Sequence, residues 1–122
     1  MSESETFQHR VSQAIRDHAM SLPETEEGTS CVNRAFKAGG KNFAFLGEKP
    51  DHCSLRLKLD ASTGEIRTRA ETEGRDWNVG SHGWTMLKFG PDDPPSTDDL
   101  QRWVTESFLL LAPKKVAKLL DG

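Results

Sequence analysis

The N-terminal part of the chain has apolar residues at the spacing of an amphipathic helix. They recur at steps of three or four residues: Phe7, Val11, Ile15, Ala19 and Leu22. One apolar stripe on an otherwise polar segment predicts a helix that packs against a core. Ser2 and Glu5 have the spacing of a capping box, and Pro23 ends the pattern.

From Thr29 the apolar period changes to two, which is typical of strands. The segments CVNRAFKA and KNFAFLG flank Gly39-Gly40, and glycines suit the positive φ of a tight hairpin turn. A third strand, CSLRLKLD, places Cys53 and three leucines on one side and Ser54, Arg56 and Lys58 on the other. The acidic segment Glu24 to Gly28 is expected to be a solvated, flexible loop and not a cation site.

The second half of the chain predicts shorter elements. Residues 62–74 form either a short crossing helix or an irregular turn, with Ser62 and Glu65 as a second capping box. The segments DWNV and WTMLKF predict two strands, and a loop follows from Pro91 to Pro95. A helix from Thr97 carries one apolar face: Leu100, Trp103, Val104, Ser107 and Leu111. Pro113 can open a last short helix.

This order predicts a two-layer α+β domain. Strands joined by short turns pair antiparallel, so we expect one sheet of about five strands with the helices packed on one face. The expected shared core is Phe7, Val11, Ile15, Leu55, Leu57, Leu100 and Val104. The other face of the sheet is left to water or to a partner.

Composition and charge bound the possible functions. A chain of 122 residues, 34% hydrophobic and 29% charged, suits one globular domain spanning residues 1–122. The net charge of −3 argues against strong non-specific nucleic-acid binding but allows a local basic face. The apolar run at residues 108–112 is too short to span a membrane, and the acidic N-terminus does not resemble a signal peptide. We therefore expect a cytoplasmic protein.

Residues that could carry catalysis or bind a metal are few. If Cys31 and Cys53 lie on the first and third strands of a meander, they are roughly 9 to 10 Å apart, so both thiols should be free. Cys53 is in phase with the core leucines, and its neighbour His52 points to the opposite face, which disfavours a nucleophile. His9 and His18 lack the spacing of a zinc site. No enzyme activity, cofactor or metal is expected.

The glycines around His82 in the segment GSHGW raise the question of a phosphate-binding loop. A turn is favoured, because the spacing of Gly80 and Gly83 fits no phosphate-binding motif and a strand follows where a helix would be needed.

Four segments taken in order resemble the MmcQ/YjbR family of small bacterial proteins: GGKNFAFL, SLRLKL, HGWTMLKF and WVTESFLLLAPKK. The resemblance extends from about Phe7 to Leu120. It implies a frataxin-like (CyaY-like) fold and a DNA-binding function, with no established catalytic activity. The chain departs from the family pattern in the polar segment around Gly64 and at Phe108, where a tyrosine is common after the serine. The first helix has few carboxylates for the iron site of frataxins.

The register implied by the resemblance predicts a contact surface. If Thr85, Leu87 and Phe89 point inward, Trp84, Met86 and Lys88 share the open face with Arg56 and Lys58. In this hypothesis the three cations contact phosphates and Trp84 stacks on a base. One alternative is a protein partner on the same face, with no nucleic-acid ligand. Another is that Trp84 only caps the sheet edge or packs in the core.

Overall fold

The computed structural model describes residues 3–30, 33–49, 52–90 and 96–121. Within those ranges it contains four helices and six strands. In chain order they are α1 (Glu3–Ser21), β1 (Thr25–Ser30), β2 (Asn33–Ala38), β3 (Lys41–Glu48), β4 (Cys53–Lys58), α2 (Thr63–Thr72), β5 (Trp77–Val79), β6 (Trp84–Phe89), α3 (Thr97–Leu111) and α4 (Lys114–Asp121). A 3-10 turn, Ser81–Gly83, joins β5 to β6.

The described strands form one antiparallel sheet in the order β1-β2-β3-β4-β6-β5. Helices α1 and α3 pack on each other and on one face of the sheet, and α2 packs against β5. The predicted two-layer α+β architecture is therefore confirmed. Within the described ranges, no helix combines the length and the apolar character that a membrane crossing requires.

The core lies between the helices and the inward face of the sheet. Of the predicted core residues, six are buried there: Val11, Ile15, Leu55, Leu57, Leu100 and Val104. The side chain of Phe7 lies outside the described residues, as do Ser2, Cys31 and the segment Pro91 to Pro95. Cys53 is a free, buried thiol, and burial raises its pKa. A thiol in that environment is a poor nucleophile.

The prediction of a loop at Glu24 to Gly28 is wrong, because β1 begins at Thr25 and pairs with β2. The strand has no apolar alternation, and its main-chain hydrogen bonds hold it at the sheet edge. Glu27 also accepts a hydrogen bond from Arg16 of α1 at 2.6 Å. This polar edge strand raises the sheet from about five strands to six.

The segment 62–74 contains a helix, α2, but the predicted capping box is wrong. The Ser62 hydroxyl donates to the Glu106 carboxylate at 2.6 Å instead of capping its own helix. The same carboxylate accepts from the backbone N–H groups of Asp60 and Ser62. Glu65 accepts hydrogen bonds from Arg102. A side chain from α3 therefore satisfies the backbone at the start of α2, and sequence spacing along α2 cannot reveal it.

A β-bulge in β3 sets which side chains reach each face of the sheet. Phe36 pairs with Ala44 while Lys37 pairs with Asn42, so Phe43 is the extra residue. Phe43 turns into the core, where its ring meets Phe108 edge to face. The buried Ser107 hydroxyl donates to the Phe43 carbonyl and accepts from the Lys58 N–H at 3.0 Å. Ser107 thus bridges the backbones of β3 and β4 at the residue that bulges.

Candidate binding surface on the open face of the sheet

The face of the sheet turned away from the helices carries every residue of the predicted contact surface. Arg56 pairs with Met86, Lys58 with Trp84, and Ser54 with Lys88 across β4 and β6. Their neighbours Leu55, Leu57 and Leu87 are buried on the other face. Because side chains alternate between the two faces along a strand, the side chains of these three pairs all point outward.

At the centre of this face an arginine lies against two aromatic rings. The Arg56 guanidinium carbon is 5.3 Å from the centroid of the Trp84 ring and 5.9 Å from that of Phe45. The two rings are 6.2 Å apart and tilted by 50°. We call Phe45, Arg56 and Trp84 the Arg56 cluster. Cation–π contact holds the guanidinium in place while leaving its N–H groups available to a ligand.

The charges on the open face are only partly neutralised. Arg56 and Lys58 form no ion pair with any carboxylate in the described part of the chain. Lys88 lies 3.5 Å from the Asp76 carboxylate, and both side chains are well exposed. Such a surface pair contributes at most about 1 kcal/mol and opens readily. The face is therefore locally basic, although the whole protein has a net charge of −3.

Trp84 is half-buried and lies on the open face, so the alternative that it packs in the core is wrong. The other two tryptophans are the ones that pack in the core. Trp77 and Trp103 are buried, with ring centroids 5.5 Å apart. Phe45 and Arg56 contact the Trp84 ring and contribute to its partial burial.

Phe45 is the member of the cluster that the sequence interpretation missed. By simple alternation Phe43 and Phe45 share one face, but the bulge sends Phe43 inward and leaves Phe45 opposite Arg56. The signal that could have found it is the short connection between β3 and β4. Counting back from the Glu48–Cys53 pair places Phe45 beside Arg56.

The densest group of charges lies elsewhere, between α2 and α3, and its charges neutralise one another. Arg69 contacts Glu65, Glu73 and Asp99, Arg102 contacts Glu65 and Asp99, and Arg75 contacts Glu73. The hydrogen bonds from Arg102 lower the pKa of Glu65. This network ties the two helices together and leaves no free charge for a ligand.

Histidines and carboxylates do not assemble into a metal centre in the described ranges. No group of three His, Cys, Asp or Glu side chains there could hold an ion. His18 instead meets the Thr105 hydroxyl, with 2.6 Å between Nε2 and Oγ1, and burial lowers its pKa.

Comparison with known proteins identifies the family. The YjbR family model matches residues 20–110. The fold is similar to the crystal structure of Deinococcus radiodurans protein DR2400, which has a DUF419 family-model domain. The TM-score is 0.59, with 22% identity over 79% of this chain and 74% of that one. Among curated proteins, none matches the sequence significantly. Because the family model covers more than half of the sequence, this chain belongs to the YjbR family.

Proposed function

We propose that this protein is a binding module, not an enzyme, and that it holds single-stranded DNA across the open face of its sheet. The observation that supports this is the Arg56 cluster, in which a guanidinium with no ion pair among the described residues is held against two half-buried rings on the open face of the sheet. Nucleic-acid bases stack on aromatic side chains and on guanidinium planes, and sheets with outward aromatics use this mode to bind single strands.

In this proposal the aromatic side chains of the surface contact the bases, and its cations contact the phosphates of the strand. Trp84 and Phe45 offer ring faces for bases, and each stacked base is worth about 1 to 3 kcal/mol. Arg56 and Lys58 supply charge for phosphates, and Lys88 can exchange its exposed contact with Asp76 for a phosphate. Single-stranded DNA fits better than duplex because its bases are free to stack.

The buried state of Cys53 supports a binding module over an enzyme. Its Sγ lies 3.5 Å from the Ser12 hydroxyl within the core, and its raised pKa keeps it protonated. A nucleophile needs an accessible, activated thiolate with a base beside it.

The test measures the affinity of a fluorescently labelled oligothymidine by anisotropy at several salt concentrations. Each phosphate contact to a single strand contributes about 0.7 to the slope of log K against log salt. Arg56→Gln should lower both the affinity and the slope, whereas Trp84→Ala should lower the affinity and leave the slope unchanged.

Arg10→Gln is the matched control, since Arg10 is an exposed arginine on α1, across the sheet from the open face. It should bind as tightly as the unmodified protein. Absence of oligothymidine binding by the unmodified protein at low salt would refute the proposal.

A protein partner on the same face is the second candidate. Phe45, Trp84 and Met86 form an apolar strip that is only half-buried, and the net charge of −3 disfavours approach to nucleic acid. A partner held by this strip would bind with little dependence on salt, because apolar contacts release no counterions.

A further inference from the structure

A cleft lies at the end of the sheet where β4 stops, α2 begins and the 3-10 turn leads into β6. Its volume is about 310 Å³, at the lower end of the range for small-molecule sites. The residues that give it chemical character are Lys58, Asp60, Thr63, Arg67, His82 and Leu110. Polar groups and cations predominate, with Leu110 and Val79 as apolar wall.

The balance of charge in the cleft favours an anion. Lys58 and Arg67 form no ion pair with any residue in the described ranges. Asp60 is the only carboxylate among the described lining residues. The N–H groups of Asp60 and Ser62 already bind the Glu106 carboxylate, so a ligand would depend on side chains and not on the start of α2.

The backbone of the 3-10 turn fixes one wall of the cleft against β4. The Leu59 N–H donates to the Gly83 carbonyl at 2.9 Å. A Cβ on Gly83 would lie 2.1 Å from the Leu59 carbonyl oxygen, so only glycine permits this approach. The turn therefore fixes the backbone of the adjacent His82 beside the cleft.

His82 itself has a left-handed backbone conformation, with φ of 59°. Non-glycine residues with positive φ are uncommon, and glycine would adopt this conformation at less cost. The turn does not need an imidazole for its geometry. Strained residues of this kind concentrate at ligand sites, where the surrounding structure holds the unfavourable backbone conformation.

We propose that this cleft binds a phosphate monoester. Lys58 and Arg67 pair with the phosphate oxygens, His82 donates a hydrogen bond from its ring, and the wall of Val79 and Leu110 covers the group that carries the phosphate. The source is either a free mononucleotide or the 5′-phosphate of a DNA strand. Only the second source rests on the proposed function of the open face.

The test compares thymidine monophosphate with thymidine in nitrogen-edited NMR titrations. The monophosphate should shift the amide signals of Gly80, His82 and Gly83, and thymidine should not. Arg67→Gln should weaken monophosphate binding about tenfold or more, the loss of one charge-assisted hydrogen bond. Arg10→Gln, which removes an exposed arginine outside the cleft, should leave it unchanged. Equal shifts with thymidine, or unchanged binding in Arg67→Gln, would overturn the proposal.

His82→Gly separates a ligand role from a structural one. Glycine relieves the positive φ, so the melting temperature should stay the same or rise. Binding of the monophosphate should nevertheless weaken. A variant that binds as well as the unmodified protein would remove His82 from the site.

A pair of oligothymidines, with and without a 5′-phosphate, distinguishes the two sources. Tighter binding of the phosphorylated strand, lost in Arg67→Gln, assigns the cleft to a strand end. Monophosphate binding without any oligonucleotide binding supports the cleft and refutes the open-face proposal. Oligonucleotide binding with no 5′ preference and no monophosphate binding refutes the cleft alone.

Discussion

Arg56 and Trp84 are in contact across neighbouring strands, with the guanidinium carbon 5.3 Å from the centroid of the indole ring. They are not direct partners in the ladder, because Arg56 is opposite Met86 and Trp84 is opposite Lys58. The contact is a diagonal one, which long side chains on the same face of a sheet can reach. It joins the charge of β4 to the aromatic ring of β6.

This position of Trp84 predicts a difference between two tryptophan variants. Trp84→Ala should weaken oligothymidine binding by about 1 to 3 kcal/mol, the value of one stacked base. Trp103→Ala empties a core position and should cost about 3 to 5 kcal/mol of unfolding free energy. Urea denaturation should show a clearly smaller loss for Trp84→Ala. Equal losses for the two variants would make Trp84 a structural residue.

The two hydrogen bonds of the buried Ser107 hydroxyl predict a large loss of stability when that hydroxyl is removed. Ser107→Ala leaves the Phe43 carbonyl and the Lys58 N–H without a partner in the interior, at a cost of about 1 to 3 kcal/mol. Ser54→Ala on the open face of β4 is the control and should change stability by less than about 0.5 kcal/mol. Denaturant midpoints measure the stability of both variants. If Ser107→Ala is as stable as the unmodified protein, water must take over the hydrogen bonds to the Phe43 carbonyl and the Lys58 N–H.

Two glycines with positive φ predict different costs for the same substitution. At Gly40, with φ of 87°, an added Cβ meets nothing within 4 Å, so alanine pays only the backbone strain of about 1 to 2 kcal/mol. At Gly83 the Cβ also collides with the Leu59 carbonyl. Thermal melts should therefore show a much larger loss for Gly83→Ala than for Gly40→Ala. Comparable melting temperatures would mean that the turn before β6 shifts freely.

His18 predicts a pH dependence of stability. Burial lowers its pKa below 6.5 in the folded protein, so the unfolded chain binds the proton more readily. Its contribution is fully present above pH 6.5 and is lost as the pH falls from 6.5 through the lowered folded-state pKa. Urea titrations over this range should show the fall, and His18→Gln should flatten it. The same slope in both proteins would assign the effect to other groups.

The elements that local pattern determines were predictable from the sequence. The alternation in β4 is enough to predict that Cys53, Leu55 and Leu57 point inward. Because neighbouring side chains on a strand point to opposite faces, Arg56 must then point outward. The register of β6 followed from the family resemblance, and it brought Trp84 and Met86 to the same face as Arg56.

The features that sequence interpretation missed depend on contacts between distant segments. β1 is a strand because its backbone pairs with the edge of β2. Its own sequence has no alternation of apolar and polar residues. Phe45 reaches the open face because a bulge displaces Phe43, and Ser107, 64 residues away in sequence, stabilises that bulge. Ser62 is bound by Glu106, which lies on a different helix. No local period encodes such pairings.

The polar character of β1 bears on whether the edges of the sheet can recruit a second molecule. A sheet edge exposes unpaired N–H and C=O groups that can recruit a strand from a second molecule, and charge along the edge opposes this. β1 carries the exposed Glu26 and the ion-paired Glu27, while the opposite edge, β5, is three residues long and lies against α2. Both edges are thus poor templates for strand addition. The aromatic open face can remain accessible at high protein concentration without edge-to-edge aggregation.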